Sequence, residues 1–240
     1  MSKLNAGVDF STGVLSLVVA EKCGKTIFES HLKMMGRDSA NMLPWICSEF
    51  KQHNCLFEDI ECWTCGTGPG SFTGLRILAA LISGLTFSDD GEEGAMVRGV
   101  PSAVALAADI AGDIPDGASI GVLYDGRRSE LLCYRITKSG GNLLPPEADE
   151  LPVVSADDFS ALDSLSKIVG LASEREALVR VLSDEYIEKT EFIESFPVHN
   201  LLTADSELFP WDRETLLHPV YLRPSVHVKP AVIRDIVLDS

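Results

Sequence analysis

A glycine-rich segment, GTGPGSFTGLRI over residues 66–77, is the part of the sequence whose residue types most suggest chemistry. It joins an apolar strand to an apolar helix, and the free amides at a helix start suit an anion. It lacks the Lys-Ser/Thr of a Walker A loop and reads GxGxxxG rather than GxGxxG, and Ser71 lacks the flanking glycines of a nucleophile elbow. An anion-binding loop and a tight strand-to-helix turn therefore both stay open. We call these residues the motif loop: Gly68, Pro69, Gly70, Ser71, Thr73, Gly74 and Arg76.

A second candidate lies in the turn DFSTG, where Asp9 is followed by Ser11 and Thr12. A carboxylate followed by small hydroxyl residues in such a turn can hold the magnesium ion and phosphates of ATP. The same side chains also hydrogen-bond the backbone of their own turn in many proteins. The sequence thus makes Asp9, Ser11 and Thr12 candidate phosphate-binding residues, with a purely structural turn as the other interpretation.

Cysteine and histidine spacing gives weaker signals. Cys62 and Cys65 form a CxxC, but positions three apart in a strand point to opposite faces, and no second CxxC is present. The five histidines contain neither HxxxH nor HExxH. We therefore predict no metal site. The pair Arg127–Arg128 at a turn is typical of a solvated hairpin tip.

Composition limits the classes of function. The chain has 240 residues, with 36 acidic and 20 basic side chains, and its formal net charge of −16 is spread over both halves. Such a surface repels nucleic acid, so we expect no binding of nucleic acid by this chain alone. The longest uncharged apolar stretch, residues 77–87, is too short to span a membrane, and the amino terminus lacks a basic leader. These features predict a cytoplasmic protein.

The elements that position the candidates follow from hydrophobic periodicity. Apolar runs separated by turn residues predict three strands within residues 4–32, a helix ending at Gln52, a strand at 60–65 and a helix at 74–87. The later predictions are a helix at 102–111, a hairpin of 120–124 with 131–136, a helix at 157–165, a strand at 167–172, a helix at 173–183 and the extended segment HPVYLRPS.

This order of elements predicts an α/β protein of two lobes, built from mixed sheets flanked by helices. We place the amino-terminal lobe at residues 1–100 and the second lobe at 101–240, with the C-terminal segment returning to the first. The helix at 74–87 is apolar on nearly all sides and needs cover beyond its own sheet. It and the preceding helix offer one set of apolar residues for either a partner-binding patch or the core: Met42, Leu43, Ile46, Leu75, Leu78, Ala79 and Ile82.

Several motifs in order resemble those of the bacterial TsaB (YeaZ) family. These are DFSTG, DSANMLPWI, GPGSFTGLR, GVPSAVALA and DGRRSE within residues 4–136, followed by PVYLR at 219–223. The resemblance implies an actin-like, Hsp70-like (ASKHA) fold. It also implies a non-catalytic subunit of the complex that makes threonylcarbamoyladenosine on tRNA, with no catalytic residue or metal, and with ATP binding possible but not catalytic.

The resemblance further implies the partners. These are the catalytic protein TsaD, reached through the amino-terminal helices, and the ATPase TsaE, with tRNA contacted only within the complex. Without TsaD, the same helices can pair two copies of the chain into a homodimer. The alternative class of function is an enzyme of the same fold, either a glycoprotease-like peptidase or a small-molecule kinase.

Overall fold

The computed structural model describes residues 3–34, 36–87, 94–127, 129–146 and 151–221. The described residues form two lobes, each built on a mixed sheet, as the sequence predicts. None of the described helices is long and apolar enough to cross a membrane.

The first lobe is a five-stranded sheet in the order β3-β2-β1-β4-β5. Its elements are β1 (Leu4–Asp9), β2 (Val14–Glu21), β3 (Thr26–Lys33), α1 (Met42–Gln52), β4 (Ile60–Gly66), α2 (Phe72–Leu85) and β5 (Met96–Val100). β1, β2 and β3 form an antiparallel meander. β4 pairs in parallel with β1, and β5 pairs in parallel with β4. Gly13 and Gly24 adopt positive φ angles of 78° and 88° in the two meander turns, a conformation that glycine reaches without strain.

Both faces of β2 are buried, which explains its unbroken apolar run. Leu15, Leu17 and Val19 pack in the core shared with α1 and α2, whereas Val18 faces a second core on the opposite side. Alternate residues of a strand point to opposite faces, so a strand covered on both sides is apolar throughout. Polar Ser16 is also buried there, and its hydroxyl lies 2.9 Å from His31 Nδ1.

The second lobe is a six-stranded sheet in the order β11-β10-β6-β7-β8, with β9 also paired to β7. Its elements are α3 (Ser102–Ile110), β6 (Ser119–Arg127), β7 (Glu130–Ser139), β8 (Asn142–Leu144), β9 (Val153–Ser155), β10 (Lys167–Leu171), α4 (Arg175–Val181), α5 (Asp184–Lys189) and β11 (Thr190–Ile193). The β6–β7 hairpin confirms the predicted one; Arg128 at its tip lies outside the described residues.

Helix α3 and the chain after β11 join the two lobes. α3 is buried over most of its length, which its small residues Ala103, Ala105 and Ala107 allow. The later chain crosses back to the first lobe, where the short 3-10 helix Arg213–Leu217 packs on β5. There the Gly99 N–H donates to Thr215 Oγ1 at 2.6 Å. The C-terminal segment therefore contacts the first sheet beside its edge strand.

The prediction of helices and strands from the sequence is least accurate over residues 157–193, where hydrophobic periodicity is weakest. The predicted helix at 157–165 is wrong: the chain forms turns there, and the Asp158 carboxylate accepts a 2.9 Å hydrogen bond from the Ser160 N–H. Asp and Ser side chains compete with helix formation in this way. The predicted strand at 167–172 corresponds to β10, and the predicted helix at 173–183 to the shorter α4. Helix α5 and strand β11 were not predicted, because each is too short to show a period.

Candidate functional site

The carboxylate of Asp9 is the centre of the candidate site. It lies at the end of β1 and is fully buried. Its Oδ1 accepts hydrogen bonds from the Ser11 N–H at 2.9 Å and the Ser11 hydroxyl at 2.7 Å, and its Oδ2 accepts one from the Ser102 hydroxyl. Thr12 is half-buried, and its Oγ1 accepts a hydrogen bond from the Val14 N–H at 3.4 Å. The structure thus brings Asp9 and Ser11 together and leaves Thr12 beside them.

Ser102, the first residue of α3, is a member of this site that the sequence analysis missed. It donates to Asp9, and its Oγ accepts a 3.0 Å hydrogen bond from the N–H of Gly68 in the motif loop. One hydroxyl therefore joins the β1–β2 turn, the motif loop and α3. The available signal was the PSAVALA segment, in which a lone serine precedes a run of small apolar residues.

The glycines of the motif loop are required for close packing against the β1–β2 turn. A Cβ at Gly70 would overlap the backbone oxygen of Ser11, and a Cβ at Gly74 would lie 2.5 Å from the oxygen of Phe10. The Ser71 N–H also donates to the Ser11 oxygen at 2.8 Å. Of the two interpretations of the loop, this geometry favours the tight strand-to-helix turn, since packing alone accounts for the glycines.

The side chain of Ser71 caps helix α2. Its Oγ accepts a 3.2 Å hydrogen bond from the Gly74 N–H, which satisfies one of the free amides at the helix start. Helix α2 therefore begins at Phe72, two residues before the predicted start. Thr73 is exposed on the first turn of the helix.

The C-terminal segment covers the motif loop. The Val220 N–H donates to the Thr67 oxygen at 2.7 Å, and a Cβ at Gly68 would lie 2.5 Å from the Val220 oxygen. Tyr221 forms a strand-like bridge with Gly70. Two motifs far apart in the chain, GPGSFTG and PVY, thus meet in space; Pro69 is buried between them, and Leu222 and Arg223 of the PVYLR motif lie outside the described residues.

Arg76 packs against two aromatic side chains, Phe72 and Tyr221, at the surface of this region. Its guanidinium carbon lies 3.9 Å from the centroid of the Phe72 ring, and its Nε donates to the Tyr221 hydroxyl at 3.2 Å. The rings of Phe72 and Tyr221 are 4.7 Å apart. The cluster therefore fixes the C-terminal segment to α2.

Burial raises the pKa of Asp9 above its ordinary value, and the hydrogen bonds from Ser102 and Ser11 only partly oppose this effect. No ion pair among the described residues includes Asp9. A buried carboxylate without a cation favours its protonated form. Its burial and its hydrogen bonds with Ser11 and Ser102 therefore indicate that Asp9 supports the structure of this site.

We expect Asp9→Asn to raise the stability of the protein at neutral pH by about 1 kcal/mol, because it removes a buried charge. The amide oxygen can still accept from Ser11, and the Ser102 hydroxyl can rotate to accept from the amide N–H. The native pKa of Asp9 lies above the unfolded one. Wild-type stability should therefore fall as the pH rises from below the ordinary carboxyl pKa through the raised one, and the variant should lack this loss. Thermal unfolding across pH 3–8 measures both.

Asp9→Ala is the matched control. It leaves the Ser11 and Ser102 donors without their acceptor, and we expect it to cost about 1–3 kcal/mol. If Asp9→Asn were as destabilised as Asp9→Ala at neutral pH, the ionised carboxylate would itself be needed for folding.

The predicted helix patch consists mostly of core residues. Met42, Ile46, Leu75, Leu78 and Ile82 are each at most 3% exposed, and all lie on the faces of α1 and α2 that are turned toward the first sheet. Of the two interpretations left open, the structure places these five in the core of the single chain, because the helices use them to cover their own sheet. Leu43 is 39% exposed and Ala79 is half-buried.

Other apolar side chains of the two helices remain partly open and flank the buried faces on both sides. Phe72 is 41% exposed, and several further apolar residues of the same helices are half-buried. We call these residues the helix-pair face: Leu43, Trp45, Phe72, Ile77, Ala79, Leu81 and Leu85. Helix α2 is thus buried on one face and half-covered elsewhere, so only part of its apolar surface finds cover within the described chain.

The two cysteines of the CxxC motif lie in the interior of the protein. Cys62 and Cys65 are buried in β4, and burial raises the pKa of both thiols, which makes them poor nucleophiles. Among the described residues, no group of three or more His, Cys, Asp or Glu side chains is arranged to hold a metal ion.

A second polar group in the second lobe gave no sequence signal. Burial raises the pKa of Glu174 to about 7, and its Oε2 accepts a 3.2 Å hydrogen bond from the Asp125 N–H. Burial also raises the pKa of the nearby Tyr124 phenol, with further contributions from the charges of Glu174 and Asp9. Tertiary packing alone brings these residues together, because they belong to β6 and to a turn about 50 residues later.

Comparison with known proteins gives a consistent family and fold. The family described as "TsaD: tRNA N6-adenosine threonylcarbamoyltransferase" matches residues 36–192, more than half of the chain. No curated protein sequence matches.

Among solved structures, YeaZ from Pseudomonas aeruginosa is similar, with a TM-score of 0.62 and 16% identity over 84% of this chain and 89% of YeaZ. A structure described as similar to the peptidase YeaZ from Pseudomonas aeruginosa gives the same values. These matches confirm the predicted two-lobed, actin-like fold and the resemblance to YeaZ-like proteins.

Proposed function

Because this chain belongs to the TsaD family, that of the tRNA N6-adenosine threonylcarbamoyltransferases, we propose that it is a TsaB-type, non-catalytic subunit of a tRNA-modifying complex. The complex would make threonylcarbamoyladenosine on tRNA, with a TsaD protein as the catalytic subunit and a TsaE protein as the associated ATPase. The YeaZ-like fold supports the TsaB-type assignment.

The observation that carries the non-catalytic assignment is the environment of Asp9. An acidic residue that holds magnesium must present a free lone pair to the ion, but three of the about four lone-pair sites of the Asp9 carboxylate accept hydrogen bonds from Ser11 and Ser102. The carboxylate is also fully buried. In this role ATP is not required for the chain's own chemistry, and Asp9, Ser11 and Thr12 support the lobe structure.

The helix-pair face supports the proposed contact with TsaD. Leu43 and Phe72 are about two-fifths exposed, and large apolar side chains that stay exposed on a protein surface often belong to a protein interface. The same face offers a homodimer contact when TsaD is absent. The net charge of −16 supports a division of roles in which partner proteins make most of the contacts with tRNA phosphates.

Two enzymatic alternatives have less support. For a peptidase, Ser71 is the nearest candidate nucleophile, but its hydroxyl caps α2. Among the other candidates, the thiols of Cys62 and Cys65 are buried and their pKa values are raised. A small-molecule kinase would use Asp9 to hold magnesium, which its present hydrogen bonds oppose.

Reconstitution tests the proposal. We expect TsaD, TsaE and the enzyme that makes the threonylcarbamoyl donor, all from the same organism, to form at least about tenfold less modified tRNA when this chain is omitted, because an incomplete complex positions its substrates poorly. The product is measured by mass spectrometry of nucleosides from digested tRNA. Asp9→Asn serves as a control that should restore full product. Equal product without the chain would refute the proposed role, and loss of product with folded Asp9→Asn would favour the kinase.

A further inference from the structure

The second sheet has an open edge at β11. This strand pairs in parallel with β10, from Ile168 opposite Thr190 to Leu171 opposite Ile193. No other described strand pairs with its outer side. The backbone N–H and C=O groups on the outer side of an edge strand are a ready template for another strand.

Two open depressions lie beside β11. Successive side chains of a strand alternate between faces. Phe192 packs with the core that contains Leu178, whereas Ile193 packs with the core around α3. One depression, of about 490 Å³, lies between β11, α5 and the turn before β10. The other, of about 460 Å³, lies between β11 and the end of α3. Glu191 of β11 lines both, so a strand added beside β11 would lie next to both depressions.

The surroundings of this edge are strongly acidic. The residues that line the two depressions include seven acids, Asp109, Asp113, Asp163, Glu185, Glu188, Glu191 and Glu194, but only two lysines, Lys167 and Lys189. Lys189 is already paired with Glu185 at 2.5 Å. Arg175, which lies 4.4 Å from the Phe192 ring centroid, is a further cation in this region. A segment with positively charged side chains should therefore bind at this edge more favourably than a neutral or acidic segment.

We propose that the β11 edge binds an extended, lysine- or arginine-rich segment of a partner protein by strand addition. Backbone hydrogen bonds to β11 give affinity, and basic side chains of the bound segment meet the acids of the depressions. The acidic surface disfavours a second copy of this chain on the edge, because the same acids would face each other, and it repels nucleic acid. This inference is independent of the proposed tRNA-modifying role, since β11 is remote from the helix-pair face in the fold.

A designed peptide tests the inference with the full-length chain. The probe is a fluorescent peptide of about eight alternating lysine and valine residues, the usual length range of a strand. Two control peptides keep its length: one carries N-methyl groups on alternate amides, and one replaces lysine by glutamate. We expect the first peptide to bind and both controls to bind at least about tenfold more weakly, because each lacks either the backbone donors or the charge. Fluorescence anisotropy measures the binding.

Charge variants of the protein distinguish binding at the β11 edge from general electrostatic attraction between the peptide and an acidic protein. The double variant Glu191→Lys/Glu194→Lys should weaken peptide binding about tenfold or more. Glu58→Lys/Glu207→Lys, at two exposed positions away from the edge, changes the net charge equally and should change binding by less than about threefold. Hydrogen exchange should show added protection of outward-facing β11 amides in the presence of the peptide. Equal binding of the N-methylated peptide, equal effects of the two double variants, or a dimer through β11 in sedimentation would each overturn the proposal.

Discussion

Replacing Ile82 with aspartate is expected to unfold the first lobe. Ile82 is 0% exposed and lies in the core that α2 shares with the first sheet. Placing a carboxylate there without a partner should cost more than about 4 kcal/mol, a large part of the stability of a typical domain. Thermal unfolding followed by circular dichroism should show loss of the cooperative transition or a strongly lowered midpoint.

Leu43→Asp is the matched control on the neighbouring helix. Leu43 is 39% exposed, so its replacement should change stability by less than about 1 kcal/mol. If the helix-pair face binds TsaD, this folded variant should lose association in size-exclusion chromatography. A folded Ile82→Asp variant would contradict the assignment of Ile82 to the core, and wild-type association of Leu43→Asp would argue against the helix-pair face.

Replacing Gly66 with alanine is expected to destabilise the protein by about 3 kcal/mol or more. The added Cβ would overlap Asp9 Oδ2 and lie 2.7 Å from Ser102 Oγ, where the buried network leaves no room for a methyl group. The clash cannot be relieved by a flexible surface side chain, because both neighbours are fully buried. Chemical denaturation measures the change in the free energy of unfolding.

Gly84→Ala gives the opposite expectation within the same lobe. Gly84 lies in α2, and an added Cβ would meet no atom within 4 Å. Alanine in this last helical turn should stabilise the protein by about 0.5 kcal/mol, since glycine in a helix costs conformational entropy. A Gly66→Ala variant as stable as wild type would show that the Asp9 network shifts without cost.

The sequence predicts the first lobe well because its elements carry strong local patterns. The strands β1 to β4 agree with their predicted positions within about a residue, since apolar runs and turn residues alternate regularly. The later chain is less regular. β11 has four residues with a central glutamate, and the turns at 157–165 are held by Asp and Ser side chains, so neither carries a clear period.

The candidate site shows the same division between local and tertiary information. Asp9 and Ser11 belong to one turn, so spacing alone brings them together. Ser102 joins them from 93 residues away, and no local pattern predicts that contact. Likewise the choice between core and interface for Leu78 and Ile82 depends on which side of α2 meets the sheet, and a helix apolar on nearly all sides does not specify this.

The sequence by itself determined the two-lobed α/β architecture, the motif loop and the acidic character of the chain, because each is recorded in local residue types and order. Only the tertiary structure decided what those features do. It buried Asp9 under Ser102, placed the glycines of the motif loop against the β1–β2 turn, and left β11 open at an acidic edge. These outcomes depend on contacts between residues far apart in the chain, and burial and hydrogen bonding at such contacts are set only in the folded structure.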